Sequence, residues 1–331
     1  MASSYIRAID YYLPEQIEFN SVEDRMTKKI GIYSKHIVAE NEYASDLACE
    51  AAKKLFASGI DKNEIDFLLY CTQSPDYYLP TTACLLQERM DLARSCGALD
   101  YNLGCSGFVY GLSLAKGLIE SGQVNNILLI NSETYSKFIN PKDRNVHLLF
   151  GDAAAATVIS KSDDNSSYIN NFVFGTDGRG GEKLIVPSGG LRRPISAETG
   201  IETEDEVGNI RSKNNLYMDG KEVYKFALNE VPKAIERLLE KENTTLADYD
   251  YFVFHQANCY MMESLRKRIN IPEGKFSMQM GDCGNTVSAS IPIALKRECL
   301  YGNIKNGDRV LLVGFGVGYS WSACSIVWQG R

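Results

Sequence analysis

The chain is poor in histidine and tryptophan, with three and two residues in 331. Its nine cysteines are scattered, at 49, 71, 84, 96, 105, 259, 283, 299 and 324, without a single CxxC pair. An odd, scattered set argues against a disulfide framework and a structural zinc site, and it points to reduced thiols. No window approaches the ~18 uncharged apolar residues of a spanning helix, and the opening MASSYIRAIDYYLPEQ lacks the apolar core of a signal peptide. A cytoplasmic location is expected. Basic excess is missing too: the net charge of -7 argues against nucleic acid and anionic membranes as partners.

What the chain does have is a weak internal repeat. Helical periodicity over 44–56 leads through SGIDKNE into the strand IDFLLYC, and the same order returns as 223–239, ENTTLAD and YDYFVFH. Gly104-Cys105-Ser106 then falls on Gly284-Asn285-Thr286, each opening an apolar-periodic helix that runs into a buried strand, ILLIN or VLLVG. Gly151-Asp152 with AAAATVIS matches Gly318-Tyr319 with SWSACSIV. A period near 180 residues implies a duplicated unit and not a solenoid. Apolar strands alternating with helices predict sheets covered on both faces by helices, a layered α/β architecture. We expect the first half at 1–170, its excursion loops continuing to about 217, and the second half at 218–331. The polar stretch 188–215 reads equally as a solvated loop or as a cover over substrate.

If a pseudo-twofold relates the halves, the starts of the Cys105 and Asn285 helices face each other, and His255 ends the strand FVFH beside them. Sites in open α/β sheets lie beyond the carboxyl ends of strands. A helix N-terminus or an imidazole lowers a thiol pKa, so Cys105 is expected to be an activated nucleophile. The bland alternative is a small buried thiol in a turn. His255 has Gln256 and Asn258 beside it, whereas His36 and His147 lack such a setting and read as structural or surface residues.

The motifs NLGCSGF, FHQAN, GNTVSASIP and GFGVGYSW, in this order, resemble the β-ketoacyl-acyl-carrier-protein synthase III family, condensing enzymes of the thiolase fold; the resemblance implies an α/β fold in which two duplicated βαβ-type halves form αβαβα layers. GIYSKHI, LPTTACLLQ, DRNVHLLFGDAAAA and MDGKEVYKFA extend the likeness over nearly the whole chain. The resemblance implies that Cys105 carries an acyl group from an acyl-coenzyme A or acyl-carrier thioester, whose phosphopantetheine arm enters the site. It further implies that His255 and Asn285 stabilise the enolate left when malonyl-carrier loses carbon dioxide. The backbone N–H groups of Cys105 and Val317 would form the oxyanion hole. Neither metal nor organic cofactor is implied; acyl carrier protein and a second copy of the chain are, with Leu79 entering the partner's acyl pocket.

Several positions depart from the family pattern. Val317 replaces the middle glycine of a terminal triplet, and its branched side chain is expected to resist glycine-only angles and to narrow the acyl entrance. Arg25 and Lys29 stand where the family has a tryptophan and an arginine, and Tyr260 replaces an arginine after HQAN. Arg144 is kept, and Lys267 with Arg268 offers a cationic patch for an acidic carrier. These changes point away from coenzyme A and toward a carrier-bound donor. The competing reading on the same scaffold is an acyltransferase that passes the Cys105 acyl group to an amine or alcohol. Remoter ones are a cysteine hydrolase and a non-catalytic synthase subunit.

Overall fold

A computed structural model describes residues 3–164 and 166–330. The apolar runs of the sequence become strands buried on both faces. The first sheet comprises β1 (Ser3–Tyr12), β2 (Phe67–Cys71), β3 (Gly97–Tyr101), β4 (Asn126–Glu133) and β5 (Ala153–Ser162), in the order β1-β5-β4-β2-β3. Strand β2 lies parallel to β3 and β4, whereas β5 is antiparallel to β4 and β1. The second sheet comprises β6 (Ile169–Thr176), β7 (Tyr251–Phe254), β8 (Arg309–Gly316) and β9 (Ser320–Val327), in the order β6-β9-β8-β7. Its directions repeat those of the first, with β7 parallel to β8, and β9 antiparallel to β8 and β6. Even the fifth position is marked, by an isolated parallel bridge between Phe252 and Phe276. The four sequence matches therefore fall on equivalent elements.

Helices alternate with the sheets because successive strand side chains point to opposite faces and both faces need cover. On β4, Ile127 and Leu129 point between the sheets, while Leu128 and Ile130 meet Leu47, Ala51 and Leu55 of α1 (Ala44–Ala57) on the outer face. Two helices fill the middle layer: α2 (Gly107–Glu120), through Phe108, Leu112 and Ile119, and, through Ile291 and Leu295, the later helix 290–300. The outer face of the second sheet presents Leu311 and Val313 of β8 to Phe226, Val231 and Leu238 of α3 (Gly220–Glu242), on which α4 (Cys259–Ile269) packs. The middle-layer helix that closes the series is α5 (Ser290–Leu300). These are the five layers expected from the sequence.

Strand β6 falls inside the stretch that the sequence reading assigns to excursions of the first half, yet it is the edge of the second sheet. Its mixed pattern of exposed and half-buried residues carries little strand signal, and pairing with β9 supplies the order. The 188–215 stretch contains a short hairpin, Thr203–Glu204 with Ile210–Arg211. Arg211 fastens it by ion pairs to Asp143 (2.9 Å) and Asp205 (3.0 Å).

Candidate active site

Three chain reversals at the carboxyl ends of strands meet in one place. Cys105 lies in the turn just before α2, where Gly107 N–H bonds Gly104 O at 2.7 Å. His255 is the first residue beyond β7, and its backbone N–H still bonds Val313 O of β8 at 2.8 Å. Asn285 precedes the single 3-10 turn Val287–Ala289 that leads into α5. The Asn285 main chain is clasped between Leu149 O and Gly151 N–H, at 2.8 and 3.1 Å. All three side chains line a buried cavity of about 80 Å3, together with Phe150, Phe315 and Gly316. Asn285 Oδ1 accepts from Val287 N–H at 2.9 Å, which fixes the carboxamide and leaves its Nδ2 hydrogens to donate. Only glycine fits at 316, because a Cβ there would stand 2.8 Å from both Cβ and Sγ of Cys105.

The electrostatics reverse one expectation. Burial pushes the Cys105 thiol up to about 12, and the nearby Glu133 carboxyl adds to the rise, while the backbone N–H groups of Val317 and Cys105 itself pull the other way. Burial likewise drives the His255 imidazole down to about 3, opposed only by the Val287 carbonyl. Both shifts favour the neutral forms, a thiol and an imidazole, over a thiolate stabilised by a helix end. The cause is desolvation, which penalises either charge more than the backbone hydrogen bonds offset.

Behind the cavity, His255 Nδ1 lies 2.7 Å from Ser290 Oγ, and that hydroxyl donates to Val287 O at 2.9 Å. Val287 holds a left-handed φ of 53°, costly for a branched residue at roughly 1–3 kcal/mol, and its surroundings hold it there. Glu133, at the end of β4, accepts from Ser288 Oγ (2.8 Å) of the second half and from Gln73 N–H (2.9 Å) of the first. Burial raises the Glu133 carboxyl to about 8. Glu133, Ser290 and Val287 escaped the sequence reading, although Glu133 ends ILLINSE as His255 ends YFVFH.

Two larger cavities flank this one. An entrance of about 400 Å3, sharing Leu149, Met218 and Met261 with it, is lined by Lys29, Arg144 and Tyr260. There Lys29 Nζ sits 4.2 Å over the Tyr260 ring, Tyr224 stacks on the same ring, and Arg144 pairs with Asp24 at 2.5 Å. Lys267 and Arg268 stand exposed on the last turn of α4, outside that lining. Sharing Leu184 with the Cys105 cavity, a second one of about 900 Å3 is lined by Gln73, Tyr135, Leu184, Val317 and residues 188–190. Val317 needs no glycine-only angles: the left-handed conformations fall on Gly318 (φ 71°) and Tyr319 (φ 47°). Leu79 is 82% exposed and lines neither cavity of its own chain. His147 pairs with Glu18 at 2.6 Å and His36 contacts Pro14 O, both away from the site. Among the described residues no group of His, Cys, Asp and Glu is arranged to hold a metal ion.

Residues 99–178 match the family model for 3-oxoacyl-[acyl-carrier-protein] synthase III, and residues 239–328 match the model for its C-terminal part. A β-ketoacyl-[acyl-carrier-protein] synthase III from Caldanaerobacter subterraneus subsp. tengcongensis is 37% identical over 327 residues, covering 96% of each chain. The chain belongs to the β-ketoacyl-acyl-carrier-protein synthase III family. A crystal structure of a 3-oxoacyl-(acyl-carrier-protein) synthase III superimposes with a TM-score of 0.96 at 47% identity, covering 98% of this chain and 100% of that one. A 3-oxoacyl-(acyl-carrier protein) synthase from Burkholderia xenovorans LB400 gives 0.90 at 37% identity, covering 99% and 94%. As a synthase III of thiolase fold, the chain is a condensing enzyme of the acyltransferase class.

Proposed function

We propose that this synthase III joins an acyl group held on Cys105 to the two-carbon unit of malonyl-acyl-carrier protein, by a decarboxylative Claisen condensation. The reading is carried by one observation: a thiol, an imidazole and a carboxamide from two duplicated halves line one buried cavity. In the first half-reaction Cys105 Sγ attacks the donor carbonyl, the bond to the leaving sulfur breaks, and the thiol proton passes through His255 to that sulfur. A neutral imidazole is the form able to accept it.

In the second half-reaction the malonyl thioester carbonyl lies against His255 and Asn285. Its carboxyl C–C bond breaks, carbon dioxide leaves, and the electron pair is held as an enolate by the two N–H donors. A carboxylate in either place would repel that charge. The carbanion attacks the Cys105 thioester, whose oxygen gathers charge facing the backbone N–H groups of Cys105 and Val317. Collapse expels the Cys105 thiolate, which regains a proton from solvent. Thioesters and side chains carry every step, so the reading calls for no cofactor.

The entrance residues Lys29, Arg144 and Tyr260 would grip the donor's pantetheine arm or its carrier, and Lys267 with Arg268 would meet the acidic carrier surface. A second copy would cover the exposed Tyr77-Tyr78-Leu79 run, with Leu79 reaching the partner's acyl cavity. No described helix is long and apolar enough to cross a membrane. The test separates the half-reactions: N285A is expected to acylate Cys105, by intact mass, yet to release no carbon dioxide from malonyl-carrier, whereas H255A, which removes both the proton acceptor and an enolate donor, slows both steps. Loss of acylation in N285A equal to its loss of decarboxylation would contradict the division of roles.

A further inference from the structure

The wall of the 900 Å3 cavity next to Cys105 is not the hydrocarbon surface that a plain acyl chain asks for. Tyr135 O–H donates to Gln73 Oε1 at 2.6 Å, and Gln73 Nε2 donates to Asn102 Oδ1 at 2.9 Å. All three residues line the cavity. They sit at its catalytic end: a Cβ on Gly104, one residue before Cys105, would stand 2.5 Å from Gln73 Oε1. The Tyr135 ring packs 5.2 Å from Phe150, itself part of the Cys105 cavity. Elsewhere the lining includes apolar Phe138, Ile185, Val186 and Leu216.

The trio has hydrogen-bonding capacity to spare. An amide nitrogen offers two N–H donors, and Gln73 spends one on Asn102. Among the described residues neither its second N–H nor the Asn102 Nδ2 group meets an acceptor, and the Tyr135 oxygen retains its lone pairs. Polar groups beside a bound chain cost free energy unless the chain answers them, on the order of 1–3 kcal/mol each. Among the described residues no lysine or arginine lines this cavity, so none of them would neutralise an acyl group ending in a carboxylate.

We propose that the acyl group carried by Cys105 bears a neutral oxygen substituent, a hydroxyl or a keto group, near its thioester end, read by Gln73 and Asn102 with Tyr135 behind them. This deepens the condensation reading and rests on it: Gln73 sets which acyl chain is loaded, and the apolar part of the wall holds the rest of a medium-length chain. The volume lies within the ordinary range for small-molecule sites.

The experiment is a competition among S-acyl pantetheines, which bypass any preference in the entrance cavity. Octanoyl, 3-hydroxyoctanoyl and 3-oxooctanoyl pantetheine are mixed in equal amounts with the protein, and the Cys105 adducts are weighed by intact mass. An oxygenated chain is expected to lead octanoyl by about tenfold or more, the worth of one well-made hydrogen bond. Q73L should turn that order in favour of octanoyl, and N102A, at an exposed position, should narrow it without disturbing the core. An octanoyl adduct that equals or leads the others in the unchanged protein overturns the proposal and leaves the condensation reading standing. Absence of any Cys105 adduct would bring down both.

Discussion

His255 Nδ1 and Ser290 Oγ lie 2.7 Å apart, and the same hydroxyl is 2.9 Å from Val287 O. Ser290 has one proton to give. Pointed at the Val287 carbonyl, it leaves Nδ1 protonated and Nε2 a lone pair, the form that takes a thiol proton. Turned to Nδ1, it leaves Nε2 an N–H donor, the form that steadies an enolate. Ser290→Ala removes the choice, because the imidazole then faces only the carbonyl and Nδ1 must keep its hydrogen. Acylation of Cys105 is expected to stay within about threefold, while malonyl decarboxylation falls about a hundredfold, the worth of one oxyanion donor. Separate single-turnover rates read the split, and Ser290→Thr should restore the second step.

The neutral thiol gives a pH signature. With Cys105 pushed up to about 12, its alkylation by iodoacetamide should climb steadily between pH 7 and 10. A plateau reached near pH 7, as a thiolate–imidazolium pair would give, contradicts the assignment.

Gly316 carries a steric prediction. A methyl group there meets the nucleophile at 2.8 Å, so Gly316→Ala displaces Cys105 Sγ by a sizeable fraction of an ångström. Acylation should fall by about a hundredfold with the fold intact by circular dichroism. Unchanged acylation would mean that the strand yields and that the close approach is not required.

Legibility in the sequence followed exposure to chance repetition and to local contrast. Asn285 became visible because the duplication set it on Cys105, and His255 because a polar residue closes an apolar strand. Glu133 closes a strand in the same way, yet a carboxylate in that position reads as solvent-facing. It is the packing of Ser288, 155 residues distant, that buries it. The sign of the Cys105 shift was hidden for a related reason: spacing reveals a helix start but not the depth of the cavity around it. At Val317 the residue type suggested strain, which the backbone passes to Gly318 and Tyr319. Strand β6 owes its place to a partner more than 140 residues away, a pairing without a local signal.

Glu133 and His255 shape stability against pH in opposite directions. Folded His255 stays neutral down to about 3, so between there and its unfolded value of 6.5 the unfolded chain holds the extra proton and stability rises with pH. Folded Glu133 keeps its proton to about 8, so from its unfolded value of 4.5 upward stability falls as pH rises. The two offset each other between 4.5 and 6.5, and Glu133 alone acts from 6.5 to 8. Urea midpoints should therefore decline over that last interval, at no more than about 1.4 kcal/mol per pH unit, and Glu133→Gln should remove the decline. The same decline in the variant would assign it to other groups.

The central claim is that Cys105 carries the acyl group that malonyl-carrier extends. Intact-mass measurement of the protein with an acyl thioester, followed by peptide mapping and a chase with malonyl-acyl-carrier protein, tests it directly. The account predicts one acyl adduct, on Cys105 and absent from Cys105→Ala, that vanishes on the chase as carbon dioxide and a β-ketoacyl-carrier appear together. An adduct on another residue, or one on Cys105 that persists through the chase, would contradict it.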